Sequence, residues 1–180
     1  MRRISHFVGT LCASTLWRLR PFTGRLQTKP SPISTEERTT ATADLEELRA
    51  LIRRFPYWLQ GRGLLATQSL NANDVATAYA EAQALLMLAP KNSHYHATAL
   101  LELGRCFLRR GDGASALAFL DQAHELMRSN TTVQEERSAA LVLIGEKVRA
   151  RDILLSIAPA ALSAEGKAAL RWLSGEHASS

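Results

Sequence analysis

Four residues recur at a fixed distance along this chain: Phe107, Gly111, Ala116 and Leu120 return 34 residues later as Leu141, Gly145, Ala150 and Leu154. A period of that length fits a unit of two helices and a turn, which cannot bury its apolar face alone and stacks on a copy of itself. The glycine permits a sharp reversal of the chain. The alanine five residues later lets the second helix pack closely against the first, and the large apolar groups fill the space between one pair and the next.

The segments around this period read as helices. Ser93 caps a helix over 94–110 that turns Leu100, Leu103, Cys106 and Phe107 inward. Gly111-Asp112-Gly113 makes a tight turn, and 114–127 returns with Ala116, Leu117, Leu120, Ala123 and Leu126 on one face. Thr132 and Glu135 have capping-box spacing at the start of a helix to Ile144. Another helix spans 146–158, and a last one spans 164–173 between Ser163 and Gly175. Upstream, Asp74 caps a helix over 75–89 with a seam of Ala78, Ala82, Leu85 and Leu86, stopped by Pro90. A helix from Tyr57 to Ser69 carries Trp58, Leu59, Leu64 and Leu65. Asp44 and Glu47 suggest a capping box before Leu45, Leu48, Leu51 and Ile52, with that helix ending at Arg54. No stretch reads as a strand, so the expectation is an all-α domain over 44–174 in about eight helices.

Residues 97–130, with Leu100, Leu103-Gly104, Phe107, Gly111, Ala116, Leu120 and Ala123, resemble a tetratricopeptide (TPR) repeat, although Arg128 stands at the motif's closing proline. The next repeat, 131–164, places Ser138 at the glycine site and Ile157 at the second alanine site; a divergent hairpin over 57–90 keeps Ala78, Leu85 and Pro90 with a longer turn. The resemblance implies a right-handed stack of antiparallel helix hairpins, a TPR-like solenoid, with a C-terminal capping helix. It makes Gly104, Phe107, Gly111, Ala116, Ala123, Gly145 and Ala150 structural. It also implies a concave groove, lined by first helices, that binds a protein segment. Thr98, Leu101, Arg105, Leu108 and Arg109 fall on that face, followed by Thr132, Glu135, Ala139, Val142 and Leu143. Arg105 and Arg109, one helical turn apart, are either ordinary exposed arginines or a clamp for a carboxylate or acidic peptide. Leu101 and Glu135 stand where family members that clamp chaperone C-termini carry helpful lysines, which weighs against that partner.

The net charge of +5 sits at one end. Residues 1–35 carry Arg2, Arg3, Arg18, Arg20, Arg25 and Lys29 with no acid, leaving 16 basic against 17 acidic groups in the rest. A body so balanced lacks the basic groove that nucleic acid requires. Within 1–22, the apolar run from Ile4 to Trp17 is short of the roughly 20 residues of a membrane span. Its face of Ile4, Phe7, Val8 and Leu11, opposite Arg2, His6 and Thr10, has the profile of an organelle (mitochondrion-like) transit peptide or a weak membrane-surface segment. Residues 23–43 are rich in Thr, Ser and Pro and read as a disordered linker, and 175–180 as a tail.

Catalytic chemistry is not expected. Gly61-Arg62-Gly63 and Gly111-Asp112-Gly113 lack the strand and lysine of a phosphate cradle. His94 and His96 diverge on a helix, so no metal is expected, and Cys106 reads as a small core residue. Asp121 with Glu125, and Glu135 with Glu136, read as solvated faces. The function implied is a non-enzymatic, cofactor-free adaptor that binds a protein segment in assembly of a larger complex. A substrate-holding chaperone like those of type III secretion, and a regulatory accessory subunit of an enzyme, are the alternatives. A chain lacking residues 1–35 is expected to lose its localisation yet keep its melting temperature; fluorescence microscopy of a tagged chain and a thermal melt check both.

Overall fold

Asp74, Ser93, Asp112, Asn130 and Ser163 start helices in the same way: each side chain accepts a hydrogen bond from the backbone N–H three residues on, satisfying a donor the helix leaves orphaned. The structure, a computed structural model, describes residues 35–175. The segment expected to direct targeting (1–22), the linker stretch 23–34 and the tail beyond 175 lie outside the described residues. Eight helices follow in order: α1 Thr35–Arg54, α2 Leu59–Asn71, α3 Val75–Leu88, α4 His94–Arg109, α5 Gly113–Leu126, α6 Thr131–Leu143, α7 Lys147–Ser156 and α8 Ala164–Leu173. Among the described residues there is no strand. No described helix is long and apolar enough to cross a membrane.

Three expectations about helix starts and turns need correction. α1 begins at Thr35, so the stretch 35–43, read as linker, is helical, and Asp44 lies inside the helix rather than capping it with Glu47. α6 is capped by Asn130 one residue before its first turn, and Glu135 turns away to another helix instead of closing a box with Thr132. The first hairpin's turn is not longer than the others. Its reversal residue is Asn73 at φ 64, where the later turns use Gly111 at φ 77 and Gly145 at φ 87; asparagine is the side chain that best tolerates this left-handed backbone. The wider spacing upstream comes largely from α4, 16 residues against 13 in α2 and α6.

Each helix packs against the next, giving hairpins α2–α3, α4–α5 and α6–α7 in a stack, and the first helices α2, α4 and α6 also touch one another in order. The second helices bury Ala78, Ala82 and Leu85 on α3, Ala116, Leu120 and Ala123 on α5, and Ala150 and Leu154 on α7, with Ile157 just beyond it. Facing them, the first helices bury Ala66, Gly104 and Ser138. A Cβ on Gly104 would lie 2.5 Å from Leu120 Cγ, so the α4–α5 crossing is as close as it is because that side chain is missing. Ser138 serves the same site differently: its hydroxyl donates to the Ala150 carbonyl at 2.9 Å. Phe107 fills the space between hairpins, edge-on to Tyr79 at 5.9 Å and stacked on Phe119 at 5.3 Å. Leu45, Leu48 and Ile52 of α1 close one end over Leu65, and Ala169 of α8 closes the other over Leu154, Ile157 and Leu162. Leu51, Leu64 and Leu126, expected to face inward, are exposed.

Gly104→Ala gains about 1 kcal/mol of helix propensity, but its methyl collides with fully buried Leu120, and such overpacking costs roughly 1–3 kcal/mol. The net expectation is a lowered melting temperature. Gly145→Ala meets no atom within 4 Å and is expected to lose roughly 1–2 kcal/mol through its positive φ alone. A Gly104→Ala chain that melts no lower than wild type would mean that the crossing relaxes freely.

Candidate functional site

The face formed by the first helices carries one continuous polar cluster in an otherwise apolar stretch. On α4, Glu102 is only 3% exposed, set between Leu101 and Leu103. Its carboxylate accepts from the Thr67 hydroxyl of α2 at 2.8 Å and from Arg105 Nη1 at 3.3 Å. Arg105 Nε reaches on to Glu136 of α6 at 3.0 Å. Four side chains thus tie three first helices together, with one guanidinium between two carboxylates.

That arrangement sets the charges. Burial alone would pull the Arg105 guanidinium down, but Glu102 and Glu136 together hold it above its ordinary value. Glu136 is pushed up from the usual glutamate range, first by burial; Arg105 opposes this, and the like charge of Glu102 adds to it. Glu136 shares its arginine with a second carboxylate, so that attraction does not offset its burial.

The residues expected to line a groove divide accordingly. Leu101, Leu108 and Ala139 are buried and cannot touch a partner, because successive first helices lie against each other and cover them. Arg105 is committed to Glu102 and Glu136 and is not available as an acid clamp. Arg109 Nη1 donates to Asn73 Oδ1 at 3.2 Å in an exposed position. Glu135 is neither groove-lining nor a solvated face. It accepts from both the backbone N–H and the hydroxyl of Ser163, each at 2.7 Å, and so caps α8 from α6. Glu136 belongs to the cluster, and Asp121 is bonded to Arg137 of α6 at 2.7 Å, whereas Glu125 pairs only with Arg128 on the exposed surface. Thr98, Val142 and Leu143 are half-buried and Thr132 is exposed, so these keep some access. Sequence reasoning missed Glu102 and Thr67. The signal was a carboxylate three residues before an arginine inside a leucine run, a place where an unpaired charge would be too costly to keep.

Cys106 is fully buried, and its thiol is pushed up to about 12 by burial first and by Glu102 second, which keeps it protonated. His94 is exposed and His96 half-buried. Among the described residues no group of three His, Cys, Asp or Glu side chains is placed to hold a metal ion. Where α1 hands over to α2, Leu51, Phe55 and Trp58 line a shallow apolar cleft of about 350 Å³. No protein-family model matches the chain, and no curated protein matches it.

Arg105→Met leaves Glu102 buried beside Thr67 alone and is expected to cost about 3–5 kcal/mol, the range for orphaning a buried charge. Glu136→Gln is milder, because Arg105 still serves Glu102, and it changes the pH dependence. A carboxyl whose folded pKa lies above the ordinary value of 4.5 binds its proton more tightly when folded, so its contribution is fullest in acid and is lost as pH rises through the folded pKa. The stability of wild type relative to Glu136→Gln is therefore expected to fall as pH rises above the ordinary glutamate value of 4.5. Urea denaturation at a series of pH values measures it; a difference that rises instead would mean that Arg105 outweighs burial at Glu136.

Proposed function

We propose that the chain is a non-enzymatic protein-interaction adaptor, a TPR-like, right-handed solenoid of three hairpins closed by α8, that holds a segment of a partner protein within a larger complex. One observation carries the reading: a buried triplet recurs in the same register after the left-handed turn residues Asn73, Gly111 and Gly145, on α3, on α5, and on α7 with Ile157 just past its end. Hairpins that repeat in this way expose long faces of helix rather than one enclosed pocket, and such faces suit extended partners. The Glu102–Arg105–Glu136 cluster gives the first-helix face a fixed, rigid floor. Partner contact there falls to the accessible residues Thr98, Arg109, Thr132 and Val142, with the buried leucines beneath as support.

The full chain, affinity-purified after chemical cross-linking, is expected to retain a reproducible set of proteins. The double variant Thr98→Arg with Thr132→Arg should lose them at an unchanged melting temperature. Identical partners for both chains would remove the first-helix face as the site, and absence of any specific partner would remove the adaptor reading.

A further inference from the structure

The corner between α1 and α2 exposes aromatic surface that the fold itself does not use. Phe55 is 52% and Tyr57 79% exposed, and Leu51 and Trp58 complete the walls of the apolar cleft. The corner is braced. Phe55 N–H donates to the Leu51 carbonyl at 2.8 Å and Trp58 N–H to the Phe55 carbonyl at 3.1 Å. The indole of Trp58 lies so tightly over Gly61 that any Cβ there would strike it. Arg62 holds the Pro56 carbonyl at 2.9 Å and is itself paired with Glu81. A surface this well fixed loses little entropy when something docks on it.

Beside it the last turn of α1 carries Arg53 and Arg54, with Glu47 one turn before Leu51. Arg49 and Arg62 are neutralised by Glu46 and Asp74 and by Glu81, whereas Arg53 and Arg54, both exposed, take part in no ion pair among the described residues. The Arg54 guanidinium sits 5.4 Å from the centre of the Phe55 ring, so apolar and cationic surfaces adjoin. Arginines in the last turn of α1 also suit the negative end of its dipole, yet this leaves their charge facing outward.

We propose that this corner docks an acidic amphipathic segment of a partner protein, one aliphatic or aromatic side chain entering the cleft while Asp or Glu residues meet Arg53 and Arg54. The proposal rests on the adaptor reading and supplies the partner's chemistry. Charge disfavours the other occupants on the page. The chain's own residues 1–34 bring six basic groups and no acid, and a second copy meeting this patch through a two-fold axis would set the same arginines against each other.

Fluorescence anisotropy of the full chain with a labelled synthetic helix, Leu and Phe on one face and Glu on the flanks, tests this. Parallel probes are the same helix with Lys for Glu, the helix with Ala for Leu and Phe, a peptide of residues 1–34, and phosphatidylcholine–phosphatidylserine vesicles. The acidic apolar helix is expected to bind at least about tenfold tighter than either altered helix, and to weaken as salt rises. Phe55→Ser, and separately Arg53→Glu with Arg54→Glu, should each weaken it about tenfold; the arginine pair is exposed, so its variant keeps the test valid if Phe55→Ser destabilises the corner. Equal binding by the variants, a preference for the Lys helix, the 1–34 peptide or vesicles, or no binding at all would overturn the proposal. If that happens while cross-linked partners still depend on Thr98 and Thr132, the adaptor reading stands without this site; if those partners are missing as well, both fall.

Discussion

The distance at which two helices of a hairpin cross governs everything built on them. At α4–α5 the largest side chain at the crossing, Leu120, faces the residue with none, Gly104. At α2–α3 the load is shared evenly, Ala66 against Ala82, with Leu103 of the next hairpin packed onto both. At α6–α7 a serine is tolerated because it spends its hydroxyl on the Ala150 carbonyl. Three different pairings reach a close approach by different divisions of the same volume, which is how a well-packed interior accommodates sequence divergence. Only with those crossings set do α2, α4 and α6 lie near enough for Thr67, Glu102, Arg105 and Glu136 to meet.

The polar cluster is better understood as a device for register than as a source of stability. A buried ion pair recovers little more than the cost of stripping its water, but breaking it is expensive. A slip of one hairpin against the next would part Glu102, 3% exposed, from Thr67, and Arg105 from Glu136. The leucines around it, being alike, would tolerate such a slip far better. The cluster therefore discriminates between stackings that apolar packing alone would leave close in energy.

Local signals were legible in the sequence because their physics is local. The caps at Asp74, Ser93 and Ser163 and the reversals at Gly111 and Gly145 depend on a few neighbouring residues, and the structure has them where the pattern put them. Tertiary partners were not legible. Glu135 had the spacing for a cap on its own helix but found Ser163, 28 residues away. Periodicity told which face of α4 held Leu101 and Leu108, but not that α6 would cover that face, since cover depends on the angle between hairpins. The start of α1 was misjudged because threonine-rich composition suggested a linker where residues 35–43 are helical.

The bond from Glu135 to Ser163 also changes how the far end of the stack can come apart. In a chain of hairpins that touch only their neighbours, the last helix ordinarily peels away first and alone. Here α8 is tied past α7 to α6, so its departure would uncover both the Ser163 backbone donor and a half-buried carboxylate on a helix still in place. Lifting α8 and loosening α6 become parts of one event. The unit that opens at this end is then the triplet α6–α7–α8, so amide protection in α7 is expected to depend on a contact in which α7 takes no part.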